Sequence, residues 1–181
     1  AEDEAIAAIY QARDYAPIWT GAGHAARRQA LLTVLAGAAD HGLPAAAYDP
    51  AVLVQAFMAA ETEGDRGRVD VKMTRALLDY MHDMKVGVVS PQSIDATIVI
   101  ERSEFDAPAM LAAFLATPSP ERFLRDLVPQ SPEYAQLMKE RIRLQGLVFN
   151  GGWGATVPAD TLAPLVAVRE NSQVGSGVSA P

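Results

Sequence analysis

From residue 70 to residue 91 the apolar positions recur at intervals of three and four. Met73, Ala76, Leu77, Tyr80, Met81 and Met84 form one stripe, with Lys72, Arg75, Asp79, His82, Asp83 and Lys85 on the opposite face. That spacing predicts an amphipathic helix, ended by Gly87 and kept from resuming by Pro91. Residues 2–14 predict a first helix, with acidic residues at its positive start and Ile6, Ile9 and Tyr10 on a narrow apolar face. Tyr15-Ala-Pro17-Ile-Trp19 stops it, because proline disfavours a helical residue before it and brings no N–H. The period returns over residues 25–41 with Leu31, Val34, Leu35 and Ala38, and His41-Gly42-Leu43-Pro44 has the form of a helix C-terminus. Asp49-Pro50 predicts the cap and first residue of a helix carrying Leu53, Ala56, Phe57 and Ala60. Residues 61–68, charged and glycine-containing, read as a connection into the central helix.

Beyond Gly87 the rhythm weakens. Thr97-Ile-Val-Ile100 is β-branched and suits one short extended segment, but no second strand is legible to pair with it. Asp106 or a neighbour then caps a helix with Met110, Leu111, Phe114 and Leu115. Ser119-Pro120-Glu121 and Ser131-Pro132-Glu133 repeat one starting device: a capping serine, a proline at the first helical position, and a glutamate facing the dipole. The first of these helices carries Phe123, Leu124 and Leu127. The second runs to about Phe149, with Tyr134, Leu137, Met138, Ile142 and Leu147 or Val148 expected to be buried, and ends at Asn150-Gly151-Gly152 before Trp153. After Trp153 the period is lost, although Leu162, Leu165, Val166 and Val168 can still pack. Residues 173–181 are Gly/Ser-rich and read as a tail or linker. The pattern predicts an all-α protein, a compact multi-helix bundle with an irregular C-terminal segment. The expected division is a helical domain over 1–158 and an irregular segment with a flexible tail over 159–181.

Composition sharpens this picture mainly by exclusion. The chain has 181 residues and is half apolar, enough for a real core and against general disorder. Fifteen basic and twenty-two acidic residues give a net charge of −7, without the basic field of a nucleic-acid binder. There is no cysteine, so disulfides, zinc-thiolate sites and a cysteine nucleophile are absent from these residues. No apolar run is long enough to span a bilayer. The chain opens Ala-Glu-Asp-Glu with no leader pattern, so an export signal is expected to have been removed or left out.

Each candidate for chemistry has a plainer reading beside it. Asp79, His82 and Asp83 suggest a reactive cluster, but they also suit the wet face of a core helix. His41 stands where a helix dipole favours a cation, and no second histidine or cysteine stands at metal-ligand spacing. Trp19 suits buried packing better than a ligand platform. Glu101, Glu104 and Asp106 gather negative charge in a loop, and paired carboxylates can hydrolyse glycans.

Four stretches in order carry a resemblance: Tyr15-Ala-Pro17-Ile-Trp19; Ala39-Asp40-His41-Gly42-Leu43-Pro44 with Tyr48; residues 70–91; and Leu127-Val-Pro129 with Pro132-Glu-Tyr134, closed by Asn150-Gly-Gly152-Trp153. Together, over roughly residues 5–158, they resemble the helical scaffold domain that precedes the catalytic domain in large periplasmic L,D-transpeptidases. The resemblance implies an exported, periplasmic, cell-wall-associated protein. Enzymes of that family cross-link peptidoglycan stem peptides through a cysteine in a Ser/His-Gly-Cys type motif with a histidine nearby. Without a cysteine no catalytic residue is carried over. Either a catalytic domain follows, or the chain is a free-standing scaffold-like protein. After Gly-Gly-Trp, Val157-Pro158 and Val166-Ala-Val168-Arg169 match the family's continuation only loosely.

The resulting expectation is a non-catalytic scaffold or binding module of a peptidoglycan L,D-transpeptidase-type protein, supporting an attached or partner catalytic domain. The alternatives are a protein–protein interaction module without wall affinity and a carboxylate-based glycan hydrolase. Binding is expected at Trp19, Trp153, Tyr15, Glu101 and Glu104, with peptidoglycan or a transpeptidase domain as partner. No cofactor, metal or nucleic acid is expected.

Overall fold

A computed structural model describes residues 2–97, 104–152 and 154. Among them are eight α-helices and no strand, so the protein is all-α as its periodicity predicts. Ile98, Val99 and Ile100 of the anticipated extended segment lie outside the described residues, as does the boundary expected at 158/159. The chain divides into two compact units, residues 1–131 and 132–181.

In the first unit, α1 (Glu2–Gln11) leads into the Tyr15–Trp19 crossing, and α2 (Ala25–Ala36) follows a 3₁₀ turn. The helix predicted to reach His41 stops five residues earlier, at Ala36 with Gly37 as its cap, and a separate 3₁₀ turn covers Ala38–His41. Gly42, at φ 82°, ends that turn as expected, and Leu43 folds back into the core. Asp49 caps α3 (Pro50–Met58), its carboxylate accepting from the Ala51 N–H at 2.9 Å.

The central helix α4 spans Glu63–Val86, 24 residues. Its first two turns are the residues read above as a connection, which corrects that reading. Thr62 and Asp65 form a capping box: Thr62 Oγ1 accepts from the Asp65 N–H at 3.1 Å, and Asp65 accepts from the Thr62 N–H at 3.0 Å. Glycines at 64 and 67 hide this start from a reading based on propensity.

A short α5 (Pro91–Ile94) is followed by α6 (Ala107–Ala116), which Asp106 caps at the Ala109 N–H, and by α7 (Pro120–Arg125). Ser119 does not cap α7 with its side chain, contrary to expectation. Its backbone sits at ψ 81°, and its own N–H donates back to Thr117 Oγ1.

The apolar stripe of α4 is the centre of the core. Met73, Leu77, Tyr80, Met81 and Met84 are buried as predicted, with Val69 and Leu78 beside them. α3 and α6 pack on α4, α1 packs on α4 and α6, and α2 packs on α7. Trp19, Phe114 and Phe123 touch in sequence, the first pair tilted and the second edge-on, with ring centroids 5.9 and 5.8 Å apart. Burial of each large apolar side chain here contributes about 1.5–3 kcal/mol.

In the second unit the described element is α8 (Pro132–Phe149), 18 residues long. It ends as predicted: Gly151 and Gly152 take φ 97° and 80°, Gly152 N–H donates to Leu147 O and Gly151 N–H to Val148 O. This is a Schellman motif. The expected burial of its apolar face is not found. Of the residues expected there, Leu137, Ile142 and Val148 are 70%, 61% and 71% exposed, while Tyr134, Met138 and Leu147 are half-buried; Phe149, at the end of the helix, is 91% exposed.

Candidate functional site

The most constrained part of the molecule is the crossing between α1 and α2. Asp70, on the core side of α4, is 2% exposed, and its carboxylate accepts five hydrogen bonds. Oδ1 takes the Tyr10 hydroxyl at 2.6 Å and the Ile18 N–H at 2.7 Å. Oδ2 takes the N–H groups of Trp19 at 2.9 Å and Thr20 at 2.8 Å, and the Thr20 hydroxyl at 3.0 Å. A carboxylate can only accept, so Tyr10 donates to it and must itself accept from Thr74, 2.7 Å away. Thr74 in turn accepts the Trp19 indole N–H at 2.8 Å. One directed chain therefore links the crossing to two successive turns of α4.

Burial alone pushes the Asp70 carboxyl up, but the donors from Tyr10 and from the backbone of Ile18, Thr20 and Trp19 outweigh it, leaving it below the usual carboxylate range. Burial, and then the bond to Asp70, push the Tyr10 phenol well above its ordinary value. The carbonyl side of the crossing is held too. Arg27 donates to Ile18 O at 3.2 Å, and Arg28 donates to Trp19 O and to Gly21 O while lying 4.9 Å over the Phe57 ring. The N–H groups of Ile18, Trp19 and Thr20 and the carbonyls of Ile18, Trp19 and Gly21 are thereby satisfied.

Just before this clamp the chain is strained. Asp14 and Tyr15 stand at φ 51° and 56°, left-handed conformations that cost non-glycine residues about 1–2 kcal/mol each. Tyr15 N–H donates to Tyr10 O and Asp14 N–H to Gln11 O, so α1 also closes with a Schellman motif, here without glycine. The outcome is a Tyr15 side chain 72% exposed at the edge of a groove of about 700 Å³. Pro17, Ile6, Val71, Gly64 and Gly67 line the same groove, and Glu63, Arg66 and Arg68 give it charge. Its size falls within the range of small-ligand sites, which makes it a candidate.

A second depression of about 410 Å³ includes Tyr48, Asp79 and Asp83. Tyr48 donates its hydroxyl to Asp83, whose other oxygen lies 3.0 Å from His82 Nδ1. His82 also stands edge-on to Phe105, centroids 5.3 Å apart. Burial, then the bond to Asp83, push the Tyr48 phenol far up. Asp83 is therefore a partner of the core tyrosine rather than a bare charge on a wet face. Among the described residues no group of three or more His, Cys, Asp or Glu could hold a metal ion.

Of the residues expected to bind, Tyr15 lies on the groove and Glu104 is exposed in the loop before α6. Trp19 corrects the expectation of a binding contact: it has no exposed surface and is the largest fully buried side chain, as its packing reading predicts. Glu101 and Trp153 lie outside the described residues. The residues missed are Asp70, Thr74 and Tyr10 in its polar role. Asp70 had a visible signal, since it stands three, seven and eleven residues before Met73, Leu77 and Met81, a charge in register with the apolar stripe.

Residues 4–140, covering α1 through α7 and the first half of α8, match the family described as Scaffold domain. No curated protein and no solved structure matches the chain.

Proposed function

This chain belongs to the Scaffold domain family, and from that premise we propose that it is the non-catalytic scaffold of a peptidoglycan L,D-transpeptidase-type protein, holding an attached or partner catalytic domain in an exported, periplasmic setting. The observation that carries the scaffold reading is the clamp on the α1–α2 crossing. Asp70 of α4 holds the amide edge of that segment and Arg27 with Arg28 of α2 hold its carbonyl edge, so the crossing is fixed between two helices. A body braced in this way presents its surfaces at a defined angle, which is what support of a second domain requires. The order of the four sequence stretches supports the wall context. Sedimentation of the purified chain with peptidoglycan sacculi tests it: co-sedimentation at low salt is expected, and a chain that stays wholly in the supernatant removes the wall-binding version.

A second reading is favoured by α8. Its exposed Leu137, Ile142, Val148 and Phe149 suit an interaction module without wall affinity. Light scattering over a range of concentrations separates the two, since mass that rises with concentration supports self-association through such a face. The carboxylate hydrolase is the weakest of the three. Of its acids, Asp106 is engaged as the cap of α6, and Glu104→Gln should leave any glycan hydrolysis by the preparation unchanged.

A further inference from the structure

The arginines of this protein fall into two groups. Arg66, Arg68, Arg122, Arg125 and Arg143 each pair with a carboxylate on their own helix. At the α1–α2 crossing Arg27 and Arg28 donate to backbone carbonyls instead. Arg13, in the turn that closes α1, has no ion pair and no side-chain hydrogen bond among the described residues, and its Nε is buried without an acceptor. A buried donor on a charged group calls for a partner.

Arg13 bears as a neighbouring charge on Tyr10, His24 and Arg27. Burial first, and then Arg13, press the Arg27 guanidinium below its ordinary range, and among the described residues no carboxylate offsets them. His24 lies in the same cluster. Its ring rests on Gly21, where a Cβ would stand 2.9 Å from both Cε1 and Nδ1, so glycine is what makes room for it. Nδ1 is buried there without a partner, and a proton on it would have no acceptor. The proton of the neutral ring therefore belongs on Nε2, which leaves Nε2–H as a donor.

The charge balance selects the ligand. Arg13, Arg27 and Arg28 bring three positive charges, against one negative charge on Asp70, whose oxygens already accept five hydrogen bonds. The excess of two suits a dianion, and the planar guanidinium fork suits its oxygens. We propose that Arg13, Arg27 and His24 form a binding site for a phosphate group, free or carried on a larger molecule. Arg13 supplies an unused fork, Arg27 the donors it does not spend on Ile18 O, and His24 its Nε2–H. A phosphate there relieves the repulsion between two arginines and ties the end of α1 to α2. None of the three residues lines the groove beside Tyr15, and the inference does not depend on the wall context proposed above.

Titration of the full chain with sodium phosphate at neutral pH and constant ionic strength tests it, followed by NMR at the arginine Nε–H groups and at the amides of residues 21–28, with sodium chloride as the reference. Saturable shifts at the Arg13 and Arg27 Nε–H signals are expected. Arg13→Ala should weaken binding at least about tenfold, and Arg13→Lys, which keeps the charge but not the fork, should recover only part of it. Arg66→Ala removes an arginine that is already paired and should leave binding unchanged. Thermal melts of each variant separate lost binding from lost fold. Phenyl phosphate distinguishes the sources: tighter binding than inorganic phosphate assigns the site to a phosphate monoester on a larger molecule, and weaker binding assigns it to the free ion. Shifts no larger than those with chloride, or an Arg13→Ala chain that binds phosphate as tightly as the native one, would overturn the proposal.

Discussion

Two helices in this protein end in the same hydrogen-bonded turn, built from different residues. At the end of α8 the left-handed positions are Gly151 and Gly152, and the helix they close has its apolar face exposed. At the end of α1 they are Asp14 and Tyr15, and the chain that follows is sealed into the core. Glycine makes the first turn at little steric cost. The second costs about 1–2 kcal/mol per residue and persists because the surrounding contacts over-determine it. Three backbone N–H groups and two hydroxyls converge on Asp70 within six residues of Tyr15. The comparison teaches where a strained turn can survive: next to a clamp, and where it sets out an aromatic ring on a groove.

The largest effect should come from breaking the clamp. Asp70→Asn replaces one acceptor oxygen by an amide that confronts buried donors, and a loss of about 3–5 kcal/mol is expected in chemical denaturation. Acid should do the same progressively. The folded Asp70 carboxyl titrates below its unfolded value, so its contribution is fully present above the unfolded pKa, about 3.9, and is lost as pH falls through the folded pKa. The stability gap between the native chain and Asp70→Asn should therefore be constant near neutrality and narrow in strong acid. A gap that narrows between pH 8 and 6 would assign the effect to another group.

A smaller change of opposite sign sharpens the same comparison. Asp14→Gly gives the α1 turn the residue type that the α8 turn already has, and should stabilise the fold by about 1 kcal/mol. The smallest effect is expected on α8. Leu137 is 70% exposed, so Leu137→Ala should change the unfolding free energy by less than about 0.5 kcal/mol. A loss of several kcal/mol there would mean that the face is covered in solution.

Much of the fold was legible because it rests on periodicity. The stripe from Met73 to Met84 lies in the core as its spacing requires, and Gly42, Asp49 and Asp106 act as their positions suggest. Other features were hidden for definite reasons. Periodicity marks the apolar face of a helix but not whether anything covers it, so α8 read like α4. The start of α4 was obscured by glycines inside its capped first turns. Tyr15 was noticed as an aromatic in a loop, but its exposure depends on a left-handed backbone that no glycine announced. Asp70 was missed because an acid near a helix start is ordinarily read as a favourable charge on the dipole. Only its register with the stripe marks it as buried.

Amide hydrogen exchange at Ile18, Trp19 and Thr20 tests the central claim most directly, that Asp70 locks the α1–α2 crossing onto α4. The account predicts that these three loop amides exchange only through global unfolding, as slowly as those of Leu77 and Met81 in the middle of α4. Exchange at the rate of a solvent-exposed loop, with α4 still protected, would contradict it.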